Sequence, residues 1–131
     1  MTDTSFPALK REPLFEEELP STNPAVHLVK GVRIKFGPGQ PSGRHRHPVP
    51  TVGVVTSGSF NFQREGEAAR VLKAGDSFFE PAGRTILQFD NSSTNASAEI
   101  VCFYLADTKD RPAIEMLDGG IRVAPVLRTD F

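Results

Sequence analysis

The chain has a single cysteine, Cys102, which excludes an internal disulfide framework and suits a reducing compartment, so the cytoplasm is the expected location. Charge of one sign is lacking as well. Fifteen Lys and Arg against sixteen Asp and Glu leave a formal net charge of −1, too little to draw nucleic acid or an anionic membrane surface. A small-molecule partner is expected instead. No apolar segment approaches the roughly 20 residues of a membrane span, and Met1 to Lys10 shows no basic stretch followed by an apolar run, so neither a membrane anchor nor a signal peptide is expected. Asn91-Ser-Ser and Asn95-Ala-Ser match the glycosylation tripeptide but carry no weight without such a signal. A convincing helix pattern, an internal repeat and a low-complexity segment are all missing.

What is present is punctuation. Eleven Gly and eleven Pro break the 131 residues into short apolar runs about 8–12 residues apart, the pattern of an all-β sandwich or barrel. Val32-Arg33-Ile34-Lys35-Phe36 alternates with period two and stops at Gly37-Pro38-Gly39, which predicts a strand with one buried face. Further strands are predicted over Thr51–Thr56, Ser59–Arg64, Arg70–Leu72, Ser77–Glu80, Arg84–Phe89 and Glu99–Leu105, with turns at Glu65-Gly66, Lys73 to Asp76 and Pro81 to Gly83. Ala113 to Leu117 reads as one helical turn. The expectation is one domain over 1–131, an all-β antiparallel double-sheet barrel with its core at about 31–106 and little or no helix. The ends, Met1 to Pro20 and Asp107 to Phe131, carry Leu14, Phe15, Ile121 and Val123 among Pro and charged residues. Such arms cover a sheet edge or embrace a second subunit, and a homodimer is expected.

One pair of residues suggests chemistry. His45 and His47 are separated by one residue, so in an extended segment both imidazoles share a face about 7 Å apart and can hold one ion. A working site needs a third or fourth ligand, often a carboxylate. Arg46 should point away from the pair, to solvent or an ion pair, and Arg33 and Lys35 form a solvated strand face.

The spacing around the pair is more specific. Gly39-Gln-Pro-Ser-Gly-Arg-His45-Arg-His47-Pro-Val-Pro-Thr51, continuing to Gly58, resembles the first cupin motif, G-x5-H-x-H-x3-E-x6-G. Gly75-Asp-Ser-Phe-Phe-Glu-Pro81-Ala-Gly83-Arg-Thr-Ile86 is similar to the second, G-x5-P-x-G-x2-H-x3-N, with Asn91 one place beyond its expected position. The resemblance runs from about Val32 to Leu105. It implies a conserved barrel of two antiparallel sheets, usually dimeric, with a metal or ligand site in the mouth.

Two departures bear on that site. The glutamate of the motif falls at Thr51 and its third histidine at Ile86, and neither side chain is a good metal ligand. Gln88, two residues past Ile86, shares its face if the strand is regular and could complete the set. Cys102 and Tyr104 have the same parity, and core packing is the plain reading of both. Glu80, just before Pro81, reads as a solvated or loop-capping carboxylate, and no carboxylate is evident near the pair. The expected pocket is therefore His45, His47, Thr51, Ile86, Gln88 and Tyr104, with His45 and His47, and Gln88 as an addition, as ligands of a divalent Fe, Mn, Ni or Zn. Two functions follow: a cupin barrel binding a small organic molecule in its mouth, or a metal-dependent dioxygenase, isomerase or lyase with a reduced site. Whether the chain is an enzyme stays open at this point.

Overall fold

The structure, a computed structural model, describes residues 8–10, 12–19 and 25–117. The strands are β1 (Leu28–Phe36), β2 (His45–Arg46), β3 (Thr51–Ser57), β4 (Ser59–Arg64), β5 (Arg70–Lys73), β6 (Ser77–Glu80), β7 (Ile86–Asn91), β8 (Ala98–Ala106) and β9 (Glu115–Met116). Two antiparallel sheets form, in the orders β1-β8-β3-β6 and β5-β4-β7-β2-β9. No helix occurs among the described residues. This is the jelly-roll arrangement, with one correction to the expected barrel: no strand belongs to both sheets, so hydrogen bonding does not close them on each other.

Period-two patterning makes the long strands two-faced. In β1, Ile34 and Phe36 are buried while Arg33 and Lys35 are exposed, and in β8 Ala98, Ile100, Cys102, Tyr104 and Ala106 all turn inward. Between the sheets lies a layer of phenylalanine rings. Phe89 is its hub, with ring centroids 6.2 Å from Phe36, 5.0 Å from Phe60, 5.3 Å from Phe62 and 4.9 Å from Phe78. Burying each such ring contributes roughly 1.5–3 kcal/mol, against about 1 kcal/mol or less for an exposed ion pair. Apolar packing, then, holds the sheets together. Gly58 joins β3 to β4 with φ of 74°, and a Cβ there would stand 2.7 Å from that of Ala98.

Two local expectations are corrected. The segment read as a helical turn over Ala113–Leu117 contains β9, which pairs with β2 through His45↔Met116 and Arg46↔Glu115. The open edge of β2 offers unpaired backbone groups, and that tertiary partner outweighs a weak local preference for helix. In β7, Gln63 opposes Gln88 but the next residue of β4, Arg64, opposes Ile86, so Leu87 is an extra residue in a β-bulge. The inward positions become Ile86, Phe89 and Asn91.

The arms partly behave as expected. The C-terminal one covers the β2 edge and buries Ala113 and Ile114, and the N-terminal one sets the Phe15 ring 6.2 Å from Phe79. Ile121 and Val123 lie outside the described residues. Asn91 anchors the loop after β7, its Nδ2 donating to the Gly37 and Ala96 carbonyls at 2.8 Å each.

Candidate metal centre

β2 places the histidine pair. The extended backbone turns His45 and His47 inward, 3% and 5% exposed, and Arg46 outward, where it pairs with Glu115 at 2.9 Å as its parity requires. Each imidazole is held through Nδ1. That of His45 donates to the Gly43 carbonyl at 2.8 Å, and that of His47 to the Ala113 carbonyl at 2.7 Å. A carbonyl only accepts, so Nδ1 carries hydrogen in both rings and the neutral form of each presents its lone pair at Nε2. This is the orientation in which a backbone carbonyl fixes a ligating histidine.

Both Nε2 atoms face Glu80. Its Oε2 lies 2.6 Å from His47 Nε2 and 3.7 Å from His45 Nε2. The carboxylate is 2% exposed, which corrects its reading as a solvated or capping group and supplies the acid that seemed missing near the pair. Despite that closeness, no hydrogen bond of good geometry reaches Oε2. Two nitrogen lone pairs and a carboxylate oxygen meeting in an apolar interior repel one another unless a cation lies among them. A proton on His47 meets that need in the metal-free protein. Burial opposes charging either partner, but Glu80 and the Ala113 carbonyl raise the His47 pKa, and His47 with His45 holds the Glu80 carboxyl at about 2.

A metal ion meets the same need by displacing the proton. One donor atom from each of His45, His47 and Glu80 lies within 4.8 Å of the others, so the three could hold an ion. Two imidazoles and one carboxylate form a donor set used by zinc and by non-haem iron, leaving positions open.

The register explains how a carboxylate arrives where the motif lacks one. Thr51, at the glutamate position of the motif, is directly opposite Glu80 on β6 and opposite Tyr104 on β8. The acid has moved one strand along the sheet. Sequence reading missed it because all of Phe78, Phe79 and Glu80 are buried, which hides the alternation of β6. Parity with Phe78 was the available signal.

The other expected residues divide. Thr51 and Tyr104 line the small cavity at the histidines, together with Ser42, Glu80 and Cys102, and the Tyr104 ring centroid is 5.5 Å from that of His47. Ile86, paired with His45, belongs to the apolar core, and the bulge at Leu87 removes Gln88 from its face, so neither lines the cavity. Burial pushes the Cys102 thiol up to about 12 and the Tyr104 phenol upward too, so both are neutral at ordinary pH.

Comparison with solved structures finds an oxalate oxidase in complex with the substrate analogue glycolate, 27% identical with a TM-score of 0.58, covering 68% of this chain and 46% of that one. An RmlC-like cupin from Shewanella frigidimarina is 26% identical with a TM-score of 0.51, covering 60% of this chain and 67% of that one. The DMSP lyase DddQ from Ruegeria pomeroyi, at 19% identity and a TM-score of 0.58 over 68% of this chain and 43% of that one, shares the fold. The chain thus spans less than half the length of the oxalate oxidase and of the lyase. No curated protein matches by sequence. Residues 32–104 match the family model described as a cupin domain, the stretch that contains His45, His47, Thr51, Glu80 and six of the nine strands in full. With its two facing sheets and inward His-x-His pair, the chain belongs to the cupin domain family.

Proposed function

We propose that this protein is a metal-binding cupin in which His45, His47 and Glu80 hold one divalent ion as the centre of a small-molecule reaction. The observation that carries this reading is the buried Glu80 Oε2, without a well-formed hydrogen bond and faced by two Nε2 atoms whose rings are fixed from behind. When bound, the ion supplies Lewis acidity and open positions for a reactant. The chain's residues orient the rings, exclude water and keep the carboxylate ionised.

Fe, Mn, Ni and Zn all suit this donor set, and dioxygenase, isomerase and lyase chemistry all remain within the proposal. The oxalate oxidase and the DMSP lyase support metal chemistry on this fold without transferring a substrate. Homodimerisation and a cytoplasmic location belong to the same proposal. Among the described residues, no helix is long and apolar enough to cross a membrane.

Elemental analysis of protein prepared without added nickel or zinc tests the reading. About one ion per chain is expected, falling to background in the His45→Ala, His47→Ala double variant. Metal retained by the double variant would overturn the assignment.

A further inference from the structure

A pocket for an organic ligand ordinarily encloses roughly 300–1,000 Å³. The cavity at the three donors encloses about 20 Å³, where about 10–15 Å³ already accommodates one water. The space an organic substrate would use is filled. Ile34, Phe36, Phe78, Phe89 and Ile100 form the apolar wall, and Phe78 packs on Phe89 at 4.9 Å. Gly53 makes that filling possible. It sits inward on β3 directly opposite Phe78, and a Cβ there would collide with Cζ of the Phe78 ring.

Among the described residues, the polar end is covered as well. Ala113, 1% exposed, takes the hydrogen bond from His47, and β9 lies along β2 outside the histidines. A separate apolar cleft of about 130 Å³ provides no alternative route to the donors. Its walls are Leu19, Val26, Pro48 to Pro50, Ala82, Leu105, Asp107 and Arg111, and none of the three donor residues lines it. Leu105 has the opposite parity to Tyr104 and belongs to the outer face of the sheet.

We infer that the centre accepts only water and very small anions rather than larger organic ligands, and that the phenylalanine wall, Phe78 foremost, sets this limit. This rests on the metal reading above and narrows it. The fold supports metal chemistry, but this chain excludes chelating organic acids of the glycolate kind from the ion.

The test uses the full chain loaded with cobalt(II), whose visible spectrum reports its ligands, titrated with azide and with glycolate. Azide should change the spectrum saturably, whereas glycolate at about 100-fold higher concentration should leave it unchanged. Phe78→Ala, and the milder Phe78→Leu in case the first does not fold, should gain a glycolate response with apparent affinity at least about tenfold above that of the parent. Thermal melting establishes that the variant assayed is folded. Glycolate binding to the parent as tightly as azide would overturn the size limit. So would silence towards both probes with cobalt at one per chain, or a folded Phe78 variant that still ignores glycolate. Failure to hold cobalt is a different result, and it would sink the metal reading together with the inference built on it.

Discussion

Replacing Glu80 with glutamine keeps the shape of the side chain and removes its charge, so it isolates the electrostatic part of the site. Metal affinity should fall at least about 100-fold by equilibrium titration, since a ligand is altered rather than its outer partner. An unchanged dissociation constant would show that the carboxylate is not a ligand. The metal-free protein should show the same pair through pH. Glu80 has its pKa lowered from 4.5, so its contribution is present above that value and is lost as the pH falls towards about 2. His47 has its pKa raised from 6.5, so its contribution is full below 6.5 and is lost as the pH rises through the folded value. Melting temperature after chelation should therefore be highest between about pH 4.5 and 6.5 and decline on both sides. A steady rise from pH 6 to pH 9 would contradict the pairing. His45 and His47 were legible from their spacing alone. Glu80 was not, because it lies on another strand and becomes a neighbour only through the Thr51↔Glu80 register.

Among the elements, β9 and the β3–β6 pair contribute most to the shape of the site. Ile114 is 3% exposed and fixes the segment whose Ala113 carbonyl orients His47, whereas Arg46–Glu115 is an exposed pair on the same two strands. Ile114→Ala should cost about 2–5 kcal/mol in denaturant unfolding and weaken metal binding, while Arg46→Ala should cost much less, because its ion pair is exposed to solvent. Equal costs would mean that the ion pair, not the buried contact, fastens β9. Gly53→Ala should destabilise by about 1–3 kcal/mol, because the added methyl overpacks against Phe78. A neutral substitution there would show that the ring is loosely held. Local pattern was a good guide where a strand is long and half-buried, as in β1 and β8. It failed where the deciding partner is distant: two residues of β9 carry no periodicity of their own, and the bulge in β7 shifts parity through its pairing with β4.

At the scale of the whole molecule, the two sheets bring a polar cluster to one end of an interior otherwise packed with phenylalanine. The same residues that stabilise the fold thus leave little volume beside His45, His47 and Glu80. Fold class followed from turn spacing and the two motif-like segments, since both report backbone geometry that the rest of the sequence supports. The ligand set did not follow from the motif, because the acid entered from the neighbouring strand while Thr51 and Ile86 took the usual positions. The most direct measurement of the central claim is an anomalous difference map from crystals grown with manganese or cobalt. A single strong peak is predicted, bonded to Nε2 of His45, Nε2 of His47 and the carboxylate of Glu80, and absent from Glu80→Gln crystals. A map with no peak among those three atoms, or with the same peak after the substitution, would contradict it.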